Sequence, residues 1–273
     1  MSQPIVSIIT VTLNSEATLE KTIQSVRKQT YTNIEYLIID GNSSDGTIDV
    51  IKKNENIVDF WTSEKDSGLY DAMNKGINKS NGKLIGILNS DDVYLDSTVE
   101  KVVKRFEKTD NPSVFYGNMI KFYKKEKSLF KGDMSDQSFE KVDIQLNHPT
   151  CFIDRVLYKK YGTFDTSYET GADRELMLRL NNNGANFEHI DQVLAKFRMG
   201  GTTTKFSFSK SVRVARQAYL MFTRHGYSRP ISLIHVAHKT LRNFIKALLT
   251  HTIGTKKLSI LRIKWLSFKD NLT

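Results

Sequence analysis

Over its first hundred residues the chain alternates short, nearly unbroken apolar runs with segments whose apolar residues recur every three or four positions. The runs Ile5–Leu13, Ile34–Ile39, Val58–Thr62 and Leu84–Leu88 predict strands. Between them, Leu19, Ile23 and Val26 mark one face of a helix that Asn14 or Ser15 can cap. Thr47–Lys53 predicts a short helix, and Leu69–Asn78 a longer one with Met73 and Ile77 on one face. Val99, Val102, Val103 and Phe106 mark the next. Strands alternating with helices imply a largely parallel sheet covered on both faces.

After Asn111-Pro112 the pattern changes. Val114–Tyr123 and Ser128–Phe130 predict a β-ribbon, Arg155–Tyr161 and Glu175–Leu180 helices, and Phe187–Arg198 a further strand. Ile231–Leu249 reads as an amphipathic helix: Ile234, Leu241 and Ile245 fall on one face, and Lys239, Arg242 and Lys246 on another. The expected organisation is a catalytic-sized body over residues 1–204 and a helical extension over 205–273. The body divides near residue 110 into halves 1–110 and 111–204.

Charge sharpens that division. From Lys205 onward there are 14 Lys/Arg and one acid, Asp270, which leaves 26 of the 40 bases and 29 of the 30 acids to residues 1–204. A basic tail on a near-neutral body implies a polyanionic partner for the tail, unless the helices simply complete the core. The single cysteine, Cys151, rules out a disulfide framework and fits a reducing compartment. No basic, apolar leader precedes the first strand, so no signal peptide is expected, and no run reaches transmembrane length.

Candidate chemistry collects at the ends of the predicted strands, where open α/β sheets bind ligands. Val11, Thr12, Leu13 and Asn14 close the first strand, Asp40 the second, and Asn89-Ser90-Asp91-Asp92 follows the buried fourth. Two adjacent carboxylates there are costly to desolvate without a positive charge beside them, and a divalent cation carrying phosphates would supply it. The chain has no GxxxxGK[ST] and no GxGxxG, so no glycine loop is available to cradle phosphate. Asp40 can accept the imide N–H of a uracil ring. Each feature also has a plainer reading: the Asp40–Thr47 loop as a turn and helix cap, the acid pair as the start of a loop.

Together these segments resemble the inverting GT-A glycosyltransferases of family 2. The resemblance runs over about residues 4–200. It rests on Ile8–Asn14, on Asp40 with Ser43, Asp45, Gly46 and Thr47, on Lys65-Asp66-Ser67-Gly68-Leu69-Tyr70-Asp71-Ala72-Met73-Asn74-Lys75-Gly76, on Asp91-Asp92, and on Gly171-Ala172-Asp173-Arg174-Glu175. Leu13, Asn89 and Ala172 depart from residues common in that family. The wording, with His148 and Gly200-Gly201, is most similar to enzymes of bacterial exopolysaccharide, O-antigen and capsule assembly.

The resemblance implies a GT-A fold, a UDP-sugar donor, and Mg²⁺ or Mn²⁺ held by Asp92 with Asp91 toward the ribose or sugar. Asp66, Gly68, Asp71, Asn74 and Lys75 would line the donor pocket, with Val11–Asn14 against the nucleoside. Asp173 would be the general base, although the same carboxylate could merely favour a helix N-terminus. His148, Arg174, Gly200 and Gly201 would lie toward the acceptor or diphosphate, with a structural histidine as the plainer reading of His148. The acceptor would be a lipid-linked saccharide at the cytoplasmic face of the bacterial inner membrane. Residues 205–273 would contact the membrane surface, and no nucleic acid is expected. The competing reading is a non-enzymatic module whose basic tail binds a polyanion or membrane.

Overall fold

The computed structural model describes residues 5–123, 126–133, 148–199 and 208–238, with positions 240, 241, 245 and 261. The first half follows the hydrophobic pattern closely. It runs β1 (Val6–Thr12), α1 (Glu16–Arg27), β2 (Ile34–Asp40), α2 (Thr47–Lys53), β3 (Phe60–Ser63), α3 (Leu69–Lys79) and β4 (Leu84–Ile87). Every residue of β1 and β4 is buried. β3, β2, β1 and β4 lie side by side, all parallel, with Thr12 opposite Asp40 and Ile9 opposite Ile87. The carboxyl ends of these strands therefore share one edge.

Beyond β4 come β5 (Val93–Tyr94), α4 (Thr98–Phe106), β6 (Ser113–Tyr123), β7 (Glu126–Phe130), a single 3₁₀ turn (His148–Thr150), β8 (Phe152–Asp154), α5 (Arg155–Tyr161), α6 (Ala172–Asn182), β9 (Asn186–Arg198) and α7 (Phe208–Arg224). The full sheet is ordered β3-β2-β1-β4-β8-β6-β9-β5, with β7 paired to β6. β8 joins the halves by running antiparallel to both β4 and β6. The result is a mixed, mostly parallel α/β sheet with an apolar cluster on each face.

Several elements were not read from the sequence. β5 and β8 are two and three residues long and exist because β9, β4 and β6 supply their partners. α6 begins at Ala172 instead of Glu175, which puts Asp173 in its first turn. α7 has no counterpart among the predicted elements, yet its Ala218, Met221 and Phe222 are buried in the same cluster as Ile9 and Ile39. The first helix after residue 205 thus packs into the core of the body. Of the amphipathic helix expected over Ile231–Leu249, residues 231–238, 240, 241 and 245 are helical, and the helix starts at residue 229. Lys239, Arg242 and Lys246 lie outside the described residues, as do Gly200 and Gly201.

One polar network docks α6 onto its neighbours. Glu175, almost fully buried, accepts hydrogen bonds from the Arg179 guanidinium at 2.9 and 3.0 Å, and His225 Nε2 lies 3.3 Å from its Oε1. The Arg179 guanidinium also donates to the carbonyls of Tyr161, Gly162 and Thr163 at the end of α5. Asn182 reaches His225 from the last turn of α6. Burial pushes the Glu175 carboxyl up, but the hydrogen bonds from His225 and Arg179 outweigh it and hold it at about 2.

A depressed folded-state value stabilises the fold through the ionised form. That contribution is complete above the ordinary carboxyl value of 4.5 and disappears as pH falls toward about 2. Urea titrations across this window should show a loss of stability that Glu175→Gln largely flattens. An unchanged acid dependence in the variant would remove Glu175 as its source.

Candidate active site

Three buried polar atoms stand without a hydrogen-bond partner where the carboxyl ends of β1 and β4 meet: Thr12 Oγ1, Asn89 Oδ1 and Asp92 Oδ2. Burying a polar atom unpaired costs about 1–3 kcal/mol, so such a group marks where a polar ligand belongs. Asp92 is fully buried. Its Oδ1 accepts the Arg198 backbone N–H at 3.1 Å, and its carbonyl accepts the Thr22 hydroxyl at 2.7 Å. The end of β9 and the middle of α1 therefore fix this residue from both sides.

Asp91 beside it is half-buried. Burial raises the Asp91 carboxyl above the ordinary carboxylate range, and the nearby Arg198 charge offsets this only in part. Burial, and then repulsion from Asp91, pushes Asp92 well up. The pair lacks sufficient positive charge. A hard divalent cation would supply the missing charge, and the unpartnered Asp92 Oδ2 with the more open Asp91 would fit one. No group of three or more His, Cys, Asp or Glu that could hold a metal occurs among the described residues. A cation here would draw its remaining ligands from phosphate and water.

Asp40 ends β2 as expected, but it is not an open acceptor. It has no exposed surface and accepts the Ser43 N–H at 2.9 Å, the Ser43 hydroxyl, and the Ser63 hydroxyl at 2.7 Å. Three bonds leave its carboxylate one lone-pair site on Oδ1. The more accessible acid is Asp66. A Cβ built on Gly41 would lie 2.6 Å from Asp66 Oδ2 and 3.5 Å from Leu13 Cδ1, so these residues close on one spot at the rim. Leu13 presents its apolar side chain there, 55% exposed, while Val11 is buried.

The loop after β2 is tied to the loop after β1. Asn14 donates its N–H to the Ser43 hydroxyl and accepts from the Ser44 N–H, both at 2.8 Å. The Ser15 N–H meets the Thr47 hydroxyl at 2.7 Å, and Asp45 accepts from the Thr47 N–H at 3.0 Å and the Glu16 N–H at 3.2 Å. Most of the polar groups of this loop hold the turn, and the turn holds Asp40.

The segment after β3 forms a second wall. Lys75 sits between Glu64 at 3.0 Å and Asp71 at 3.5 Å, and these carboxylates raise its ammonium above the ordinary lysine value. Asp66 accepts the Gly68 N–H and Asp71 the Ser67 N–H. Gly68 precedes α3 at φ 128°, where a side chain would strain the backbone. Asn74 is committed elsewhere, since its amide clips both backbone groups of Phe164 at 2.8 and 3.0 Å.

Tyr70, in the first turn of α3, links this wall to Asp173. Its phenol donates to Asp173 Oδ1 at 3.2 Å and accepts the Gly171 N–H at 2.9 Å. Gly171 has φ 90° and starts α6. His148 is half-buried, with its ring 5.9 Å from Phe164. Burial lowers its pKa, against the opposing charge of Asp173. Arg174 follows Asp173, half-buried, and its charge acts on Tyr227. Sequence reasoning did not single out Tyr70, Gly41, Ser63 or Thr22. Tyr70 shares the spacing of Met73 and Ile77, so the sequence signals only a core position.

The sheet order, with acidic residues at the carboxyl edge of its parallel half, defines a GT-A fold of the nucleotide-sugar transferase class. The chain belongs to Glycosyl transferase family 2, whose profile matches residues 7–175, and it is a nucleotide-sugar glycosyltransferase. It is 32% identical over 181 residues to an uncharacterized glycosyltransferase of Mycobacterium tuberculosis strain H37Rv, covering 65% of this chain and 69% of that one. It is 35% identical over 119 residues to the Escherichia coli UDP-Glc:alpha-D-GlcNAc-diphosphoundecaprenol beta-1,3-glucosyltransferase WfgD, covering 43% and 47%. In structure it is similar to S. aureus TarS 1-349 in complex with UDP-GlcNAc, with TM-score 0.65, 14% identity, and coverage of 87% and 72%. In a second structure of S. aureus TarS the match spans 43% of that chain. The mannosyltransferase PcManGT of Pyrobaculum calidifontis, in complex with GDP-Man and Mn²⁺, matches with TM-score 0.58 at 14% identity, covering 98% and 88%.

Tyr70→Phe removes one donor to Asp173 and leaves the Gly171 N–H unpaired, at a stability cost of about 1–3 kcal/mol. Turnover should fall roughly ten-fold or more, with the donor KM little changed. A proportional rise in donor KM would instead place the Tyr70 hydroxyl in donor binding.

Proposed function

We propose that this enzyme transfers a sugar from a UDP-sugar to a saccharide acceptor carried on a lipid, with inversion at the anomeric carbon, in assembly of a bacterial surface polysaccharide. The observation that carries the reading is the group of unpartnered polar atoms around Asp91 and Asp92, at the edge where a donor diphosphate would lie. Two likenesses support it: the UDP-GlcNAc complex of TarS, and the donor and diphosphoundecaprenol acceptor in the description of WfgD.

Each residue then has a task. Leu13 packs against the nucleoside. Asp40, through its remaining lone pair, and Asp66, over Gly41, are the carboxylates positioned to accept a uracil imide N–H. Asp92 would hold Mg²⁺ or Mn²⁺ through the oxygen left unpaired, with Asp91 beside it toward the ribose or sugar. Such an ion, when bound, neutralises the departing diphosphate as a Lewis acid. Lys75, Asp71 and Gly68 shape the sugar side of the pocket.

Asp173 takes the proton of the acceptor hydroxyl as that oxygen attacks C1 from the face opposite the leaving group. One displacement inverts the centre. His148 and Arg174 stand on the acceptor side. The reaction belongs at the cytoplasmic face of the inner membrane, where a lipid-linked acceptor is found. The non-enzymatic alternative has no support from any feature of the site.

Donor turnover should be lost in EDTA and recovered with Mn²⁺ or Mg²⁺. Asp91→Asn, Asp92→Asn and Asp173→Asn should each lose roughly a hundred-fold or more while staying folded. Metal-independent turnover that survives all three substitutions would sink the mechanism. A strong preference for GDP-sugars would overturn the donor assignment alone.

A further inference from the structure

The C-terminal helices carry an apolar surface that the core does not use. Thirteen large apolar residues stand exposed among the described residues, and eight of them lie from Val212 to Leu261. The orientation of the helix at residues 229–238 makes this specific. Its inward side is occupied: Ser232 is buried, Val236 packs against the core, and the His235 ring lies 6.1 Å from Phe222 of α7. Ile231 and Ile234 do not share that side and are 45% and 66% exposed. Leu241 and Ile245, also helical, are 57% and 46% exposed. Steps of three, seven and four residues align these four side chains in one stripe along an α-helix. The apolar face that the sequence offers for burial is therefore the face turned to solvent.

Charge decides what covers it. Residues 205–273 hold 14 Lys/Arg against Asp270 alone. Two such segments packed face to face would set like charge against like, which disfavours a second copy. A nucleic acid would engage the cations and leave the stripe uncovered. An anionic bilayer satisfies both features: the stripe enters the acyl boundary and the cations meet the headgroups. No helix among the described residues is long and apolar enough to cross a membrane, so the fitting geometry is a helix lying in the interface.

We propose that the helix beginning at residue 229 docks in the plane of an anionic phospholipid bilayer, inserting Ile231, Ile234, Leu241 and Ile245. The buried Ala218, Met221 and Phe222 of α7 hold that helix against the catalytic body, so docking fixes the body at the lipid surface. The proposal stands on this surface alone and holds whichever sugar is transferred.

The test is flotation of the full chain with vesicles. Protein should float with vesicles of equal phosphatidylcholine and phosphatidylglycerol, weakly with phosphatidylcholine alone, and less at high salt. The double variant Ile234→Asp, Leu241→Asp, on an exposed face, should bind about ten-fold or more weakly with an unchanged unfolding midpoint. Should that variant prove misfolded, Ile234→Asn alone provides the same comparison. Equal flotation of wild type and variant, or equal binding to neutral lipid, overturns the proposal. So does a concentration-dependent dimer that the variant dissolves, which would assign the stripe to a second copy. Salt-sensitive binding to a DNA oligonucleotide without flotation overturns it in favour of nucleic acid.

Discussion

Two carboxylates held at the end of a buried strand, with too little positive charge around them, set the terms for this active site. The fold itself does not neutralise them. It fixes Asp92 through Thr22 of α1 and the backbone of Arg198, and leaves its second oxygen buried and unpaired. Thr12 and Asn89 contribute further unpaired atoms at the same sheet edge. Parallel strands bring these residues together because every carboxyl end points the same way. The apolar sheet thus carries at one edge a group of polar atoms that the fold leaves unpaired.

Around that pocket, binding and scaffolding are divided between neighbouring residues. Asp40 is buried and spends three of its four acceptor sites on Ser43 and Ser63, while Asp66, beside Gly41, keeps access to the rim. The loops after β1 and β2 are tied together by reciprocal side-chain-to-backbone hydrogen bonds, so this edge of the sheet is held without a glycine-rich turn. On the far side a single phenol, Tyr70, ties the wall of acids and Lys75 to the loop that starts α6 and to Asp173. The two ends of the site are therefore coupled through α3 as well as through the sheet.

The parallel half was legible in the sequence because its strands are buried on both sides and read as continuous apolar runs. The strand ends carrying Asp40 and Asp91-Asp92 followed from those runs. The partners of Asp40 did not: one of its hydrogen bonds comes from Ser63, which lies on β3 and not on the strand of Asp40. β5 and β8 are too short to have a period and are specified by partners far along the chain. Asn74 looked like a pocket residue within its motif, but only tertiary structure reveals that Phe164 claims its amide. The stripe on the helix at residues 229–238 was visible as amphipathic, and the sequence left open which side the core would take.

The helices that carry Tyr70 and Asp173 both start at a glycine in a conformation closed to other residues, Gly68 before α3 and Gly171 before α6. In neither case would an added Cβ meet any atom within 4 Å. The restriction is torsional and owes nothing to crowding. For anyone redesigning the substrate range, these two positions form fixed pivots: pocket volume can be varied at the side chains around them, whereas variation at the glycines changes the direction in which whole helices leave the site.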